Sequence, residues 1–275
     1  LGKVYKLPLS IRRSRLTAYK SGNSTTTAKI GVGVKKTVIL AGGKGERLHP
    51  LTKDVPKSLI KIGGKPIIEH QIQLLEEQGI KEIWLLLGYM GEKIKNYLKD
   101  GRKWNVEIHY EQEKKPLGTA GALLQLTDKI KEDFLVLSGD VMLNLNFRKF
   151  MNYHLGKENN LASFAVHSTD HPQDSDLVEI DEDGRILNLF KRPHSEGKKL
   201  GNTSIASVFV FSPGVFNYID REKKVDIEKD MLPLILKSKD KTYGYLTQEY
   251  IKDMGTLERL EKVRQDYFLG KIQKI

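Results

Sequence analysis

The chain contains no cysteine. That excludes disulfides and thiolate zinc sites, and it suits a reducing compartment such as the cytoplasm, the expected location. No apolar run approaches the roughly 20 residues that a membrane-spanning helix needs, so no membrane partner is expected. A third absence is local: residues 1–36 contain no Asp or Glu, while nine Lys and Arg (Lys3, Lys6, Arg12, Arg13, Arg15, Lys20, Lys29, Lys35 and Lys36) fall there. This stretch carries most of the net charge of +11, because residues 37–275 have 37 basic side chains against 35 acidic. A body so nearly balanced does not call for nucleic acid as a partner. The Ser/Thr-rich, acid-free segment suits a flexible arm and also resembles an organellar transit segment, and no chemistry is assigned to it.

What is present from residue 37 onward reads as an α/β fold. TVILA (37–41), IWLLL (83–87) and FLVLS (134–138) are short, continuously apolar runs, as buried parallel strands are. Between them, Pro66 opens a helical pattern with Ile67, Ile68, Ile72, Leu74 and Leu75 on one stripe, and Gly79 stops it. Two more helices are expected at 91–99 and 118–126. Such alternation predicts a Rossmann-like, mostly parallel sheet with helices on both faces. Beyond about residue 160, LASFAVH, LVEIDEDGRILNLF and IASVFVFSP read as appended antiparallel strands, with Asp183-Gly184 as a hairpin turn. The acids Asp181, Glu182 and Asp183 lack the further ligands of a calcium loop and read as a solvated turn. A helix near 227–237 and a C-terminal helix ending near Gly270 complete the pattern. The expected organisation is a basic extension over 1–36 and one domain over 37–275.

Chemistry concentrates at strand ends. After the first strand comes LAGGKGERLHPLTKDVPKSL, with Gly42, Gly43 and Gly45 able to bring backbone N–H groups close to an anion, and Arg47 and Lys57 beyond them. It is not a Walker loop, because no Gly-Lys-Ser/Thr follows, and as a dinucleotide fingerprint it lacks the third glycine. The whole run to Ile72, continuing IKIGGKPIIEHQI, closely resembles the opening signature of the sugar-1-phosphate nucleotidylyltransferases (NDP-sugar pyrophosphorylases). EKKPLGTAGAL (113–123), FLVLSGDV (134–141) and IKDMGTLERL (251–260) follow in that family's order, so the resemblance spans about residues 37–270.

The resemblance implies the nucleotide-diphospho-sugar transferase fold, with the antiparallel portion binding sugar. It implies that a sugar-1-phosphate oxygen attacks the α-phosphorus of a nucleoside triphosphate and expels pyrophosphate. Arg47 and Lys57 would be the catalytic cations, and Asp140 and Asp253 would hold Mg²⁺. Leu40, Ala41, Gly42, Gly43, Gly45, Glu113, Pro116, Gly118, Thr119 and Gly121 would bind the nucleotide. Glu111 or Glu113 could accept from a guanine's N–H groups, and Gly118 and Gly121 could offer backbone groups to a base edge.

The sugar side departs from the family pattern. Where many members carry Glu-Lys-Pro, the Glu on sugar hydroxyls and the Lys on its phosphate, this chain has Lys191-Arg192-Pro193. The usual Asn-Ala-Gly appears as Ile205-Ala206-Ser207, leaving Asn202 and Ser204 as substitutes. Pro-Leu-Gly-Thr-Ala-Gly after a Glu is most similar to the mannose-1-phosphate and manno-heptose-1-phosphate guanylyltransferases, which makes GTP the expected nucleotide. DHPQDSDLVEI leans the expected sugar towards a manno-heptose. A thymidylyl- or uridylyltransferase is the alternative within the family, and a catalytically silent regulatory subunit of the same fold, or a homo-oligomer, is compatible with the sequence.

Overall fold

The computed structural model describes residues 35–169, 172–194 and 200–272. Most of the basic segment thus lies outside the described residues. Strand β1 (Lys36–Ala41) leads through the glycine loop to a small hairpin, β2 (Lys61–Ile62) and β3 (Lys65–Pro66), and then helix α1 (Ile67–Glu77). β4 (Glu82–Leu87), α2 (Gly91–Leu98), β5 (Glu107–Gln112), the short α3 (Gly118–Gly121), β6 (Phe134–Ser138) and β7 (Val141–Leu143) follow. Next come α4 (Phe147–Gly156), β8 (Asn160–Ser168), β9 (Leu177–Ile180), β10 (Ile186–Phe190) and β11 (Thr203–Phe211). α5 (Leu232–Leu236), β12 (Lys241–Leu246), β13 (Ile251–Asp253) and α6 (Leu257–Phe268) end the order.

One nine-stranded sheet organises these elements, in the order β10-β9-β11-β6-β1-β4-β5, with β8 beside β11 and β12 beside β8. β6, β1, β4 and β5 pair in parallel, whereas β11 runs antiparallel to β6, β8 and β9. The expected parallel half and antiparallel half are both present and share one sheet. Alternation along β1 sends Ile39 into a core under α1, α2 and α4, and Val38 into another under α5; both are fully buried. The apolar stripe of α1 is why that helix docks: Ile68, Ile72 and Leu75 are fully buried, and each burial is worth about 1.5–3 kcal/mol. Asn146 starts α4 by accepting from Lys149 N at 2.9 Å, and Thr256 starts α6 by accepting from Arg259 N at 3.3 Å.

A third, smaller core matters most for the site. Leu48 from the glycine loop, Ile62 from the hairpin, Met142 from β7 and Leu260 and Val263 from α6 pack together. β7 and β13 form a separate antiparallel ribbon in which Val141 faces Asp253. The Asp181–Asp183 turn joins β9 to β10 with Glu182 and Asp183 exposed. Among the described residues, no helix is long and apolar enough to cross a membrane.

Candidate active site

β1 and β6 lie side by side, so the glycine loop and the Asp140 turn leave the sheet at the same edge, the usual ligand edge of such sheets. Gly139 N donates to Leu40 O at 2.9 Å and Tyr89 N to Gly42 O at 3.1 Å, fixing the start of the loop. Gly45 turns it with φ +68°, and its carbonyl accepts from Thr52 Oγ1 at 2.8 Å. A Cβ at Gly45 would lie 3.0 Å from Thr52 Cγ2, so the turn requires glycine both for its backbone and for its packing. Around Gly43 the space is open and the residue is exposed, which leaves its backbone accessible to an anion.

Lys57, behind the buried Pro56, reaches back to pair with the Asp140 carboxylate. Their side chains are 15% and 20% exposed, sheltered yet reachable from solvent. Burial pushes the Asp140 carboxyl up, but the Lys57 charge and the 2.6 Å hydrogen bond from Ser138 Oγ outweigh it, and its pKa ends below the ordinary value. Across the ribbon, Met254 N donates to Asp140 O at 2.9 Å, which ties the Asp140 turn to the strand carrying Asp253. Asp253 accepts from Gly255 N at 2.8 Å and from Arg259 Nη1 at 3.0 and 2.8 Å. Arg47 joins the same corner: a Cβ on Gly255 would stand 3.0 Å from Arg47 Nη2 and 2.6 Å from Asp253 Oδ1. Arg47, Lys57, Asp140 and Asp253 are therefore gathered around one strand edge.

Ser138, Arg259 and Gln71 were not singled out from the sequence. Arg259 sits in the first turn of α6, where the helix dipole disfavours a cation, and Asp253 is what offsets that cost. Gln71 is a polar residue inside the apolar stripe of α1, a signal that was there to read. It is 1% exposed and its amide donates to Ser138 O at 2.8 Å and Val141 O at 2.7 Å, bracketing Asp140. Gln71→Leu takes the amide donor from the buried Val141 carbonyl and the part-buried Ser138 carbonyl; it is expected to cost about 1–3 kcal/mol in a urea titration and to slow turnover through a loosened Asp140 turn.

The profile of the nucleotidyl transferase family matches residues 36–268. The chain belongs to that family. The "Bifunctional protein GlmU" of Methanococcus maripaludis is 35% identical over 79% of this chain and 51% of its own length. "Mannose-1-phosphate guanylyltransferase catalytic subunit beta" of Drosophila pseudoobscura pseudoobscura is 32% identical over 80% of this chain and 58% of its own. The chain thus spans about half the length of these curated relatives. Among solved structures, HddC from Yersinia pseudotuberculosis complexed with GMP-PN superposes with a TM-score of 0.70 at 26% identity, covering 85% of this chain and 99% of that one. A putative glucose-1-phosphate thymidylyltransferase from Bacillus anthracis shares the fold, with a TM-score of 0.74 at 23% identity over 84% and 94% of the two chains.

In this member of the nucleotidyl transferase family, the residues expected around the base divide into two groups. Glu113 lies over the loop: Cβ atoms built on Gly42 and Gly88 would stand 3.0 and 2.6 Å from its Oε1, while Oε2 accepts from Leu117 N at 3.0 Å. Glu111, by contrast, is paired with Lys129. Pro116 is exposed. Thr119 Oγ1 donates to Asp226 Oδ2 and accepts from Ile227 N, both at 2.9 Å. Ala120 N and Gly121 N both donate to Val225 O, at 3.0 and 3.1 Å, so the Gly121 amide is already engaged within the chain. Gly118, at φ +82°, also packs against the Val225 backbone. Close packing accounts for both glycines.

The residues expected at the sugar phosphate lie around the outer end of β11. Lys191 Nζ donates to Lys229 O, and Arg192 reaches Asp176 Oδ1 through its backbone N at 2.9 Å and Nε at 3.2 Å. Ser204 is buried opposite His167, and Asn202 is exposed with its carbonyl accepting from Thr169 N at 2.8 Å. Ser207, where β11 bulges, adopts φ +52° and donates to Glu228 Oε1 at 3.2 Å. Residues 170–171, in the DHPQDSDLVEI stretch, fall outside the described residues.

Proposed function

We propose that this chain transfers a nucleotidyl group from a nucleoside triphosphate to a sugar 1-phosphate. The supporting observation is the gathering of Arg47, Lys57, Asp140 and Asp253 where β1 and β6 end. An oxygen of the sugar phosphate forms the new bond to the α-phosphorus, and the bond from that phosphorus to the β-phosphate bridging oxygen breaks. The electron pair leaves with pyrophosphate. The attacking oxygen is already anionic, so no side chain has to take a proton from it, and positioning with charge neutralisation supplies the rate.

The exposed backbone around Gly43, with Arg47, holds the β- and γ-phosphates, and Lys57 swings from Asp140 to the α-phosphate as charge shifts there. Asp140 and Asp253 would hold Mg²⁺. The donor set suits it: two carboxylates on adjoining backbone segments, each already facing a cationic side chain, are hard oxygen ligands that leave room for water and phosphate. When bound, the ion would neutralise charge on the reacting phosphates. Glu113 reads the base; guanine offers N1–H and an amino group to a carboxylate, and this favours GTP.

We infer a manno-configured sugar, mannose or a manno-heptose, from the guanylyltransferase resemblance. A matrix of GTP, dTTP, UTP and ATP against mannose, manno-heptose and glucose 1-phosphates, read by pyrophosphate release with Mg²⁺, tests the reading. GTP with a manno-configured substrate is expected to turn over fastest. No pyrophosphate from any pair would overturn the enzymatic reading, and a pyrimidine preference would overturn the assignment of the base.

A further inference from the structure

We propose that the Glu228 carboxylate accepts a hydroxyl of the sugar, taking the role left open where Lys191 replaces an acidic residue. The proposal rests on the sugar 1-phosphate reading above and concerns which residue recognises the sugar. The β11–β6 ladder ends at Val208 opposite Leu137, so Ser207 follows at the level of Ser138, two residues before Asp140. Ser207 Oγ meets Glu228 Oε1 at 3.2 Å, which sets Glu228 beside the sheet edge where Asp140 emerges.

Three separate parts of the chain close on the segment carrying Glu228. The Thr119 loop is fastened to Asp226, Lys191 is fastened to the carbonyl of Lys229, and Ser207 is fastened to Glu228 itself. A ligand spanning from the base loop towards Lys191 and Arg192 would pass this carboxylate.

Glu228 is also incompletely served by the protein. Among the described residues its carboxylate takes one hydrogen bond, from Ser207, and forms no ion pair. Burial, with Asp226 beside it, pushes the carboxyl up to about 7, an environment that costs stability and that packing alone does not require. A sugar hydroxyl is a donor that fits the remaining acceptor capacity without bringing a second charge.

The test uses the full chain and the sugar 1-phosphate that turns over fastest in the substrate matrix, together with its monodeoxy analogues. Glu228→Gln and Glu228→Ala are expected to raise KM for the sugar phosphate about 10- to 100-fold while leaving KM for the nucleotide unchanged. In the native protein one monodeoxy analogue should lose a similar factor, and in Glu228→Ala that same deletion should cost nothing further. Urea midpoints at or above the native value in the Gln variant would show that the change is not loss of fold. An unchanged sugar KM, or losses that multiply when hydroxyl and carboxylate are both removed, would overturn the proposal. Absence of turnover in the native protein is a different result: it removes the sugar 1-phosphate reading, and this inference with it.

Discussion

Asp140→Asn and Lys57→Ala are each expected to cut pyrophosphate release by about 10²- to 10⁴-fold, the range for removing a preorganised charge at a reacting phosphate. The two carboxylate oxygens of Asp140 have distinct tasks in the resting chain: one takes the Lys57 ammonium, the other the Ser138 hydroxyl. Asparagine keeps the shape and loses the charge, so it separates electrostatics from packing. Alanine at 57 leaves a sheltered carboxylate without its cation, and some loss of stability is expected beside the loss of rate. Lys44→Ala supplies the control, because among the described residues that exposed cation of the same loop pairs with Glu46 alone, at 3.7 Å. Full turnover in either active-site variant, measured at saturating substrate, would remove these residues from the reaction.

Gly118→Ala carries the largest expected cost in stability, about 3–5 kcal/mol in chemical denaturation. An L-residue at φ +82° is strained by about 1–2 kcal/mol. Its Cβ would also stand 2.8 Å from the carbonyl carbon of Val225 and closer still to the oxygen. Relief requires moving the Val225 carbonyl, which receives Ala120 N and Gly121 N. The Thr119–Asp226 bond would be disturbed with it, so KM for the nucleotide should rise as well. Gly64→Ala isolates the conformational part, since that glycine has φ +89° with open space around it, and only about 1–2 kcal/mol is expected there. Equal losses at the two positions would contradict the packing argument.

Much of the framework was legible because it is local. TVILA, IWLLL and FLVLS each needed nothing beyond their own composition to declare β1, β4 and β6, and the stripe in α1 declared its buried face. The expected helix over 118–126 was less regular than its pattern: four residues of α-helix pass into a 3₁₀ turn at Ala122–Leu126. Its start also relies on a partner distant in sequence, since the Val225 carbonyl takes two of the amides that have no acceptor within the helix. β7 and β13 were illegible for a related reason. Each is three residues long, and they are held by partners more than a hundred positions apart.

Motif order singles out Arg47, Lys57, Asp140 and Asp253, and the fold places these four at one corner. A polar Gln71 in the α1 stripe marks it out locally, but only the fold shows that its partners are the carbonyls flanking Asp140, more than sixty positions later. Nor did the motif containing Glu113 reveal that Gly121 spends its amide on Val225. Residue identity was readable along the chain, whereas the division of hydrogen bonds between ligand and protein depended on the fold.

The small core shared by Leu48, Met142 and Val263 has a consequence for the order of synthesis. A ribosome delivers the glycine loop well before α6, yet the loop's buried Leu48 packs in a core to which that helix contributes. The central parallel strands can assemble while the chain is still being made, but the corner that gathers Arg47, Lys57, Asp140 and Asp253 must wait for β13 and α6. A nascent chain halted before Asp253 would own its glycines, Arg47 and Lys57 without the scaffold that aims them. That corner therefore takes its shape only once α6 has followed.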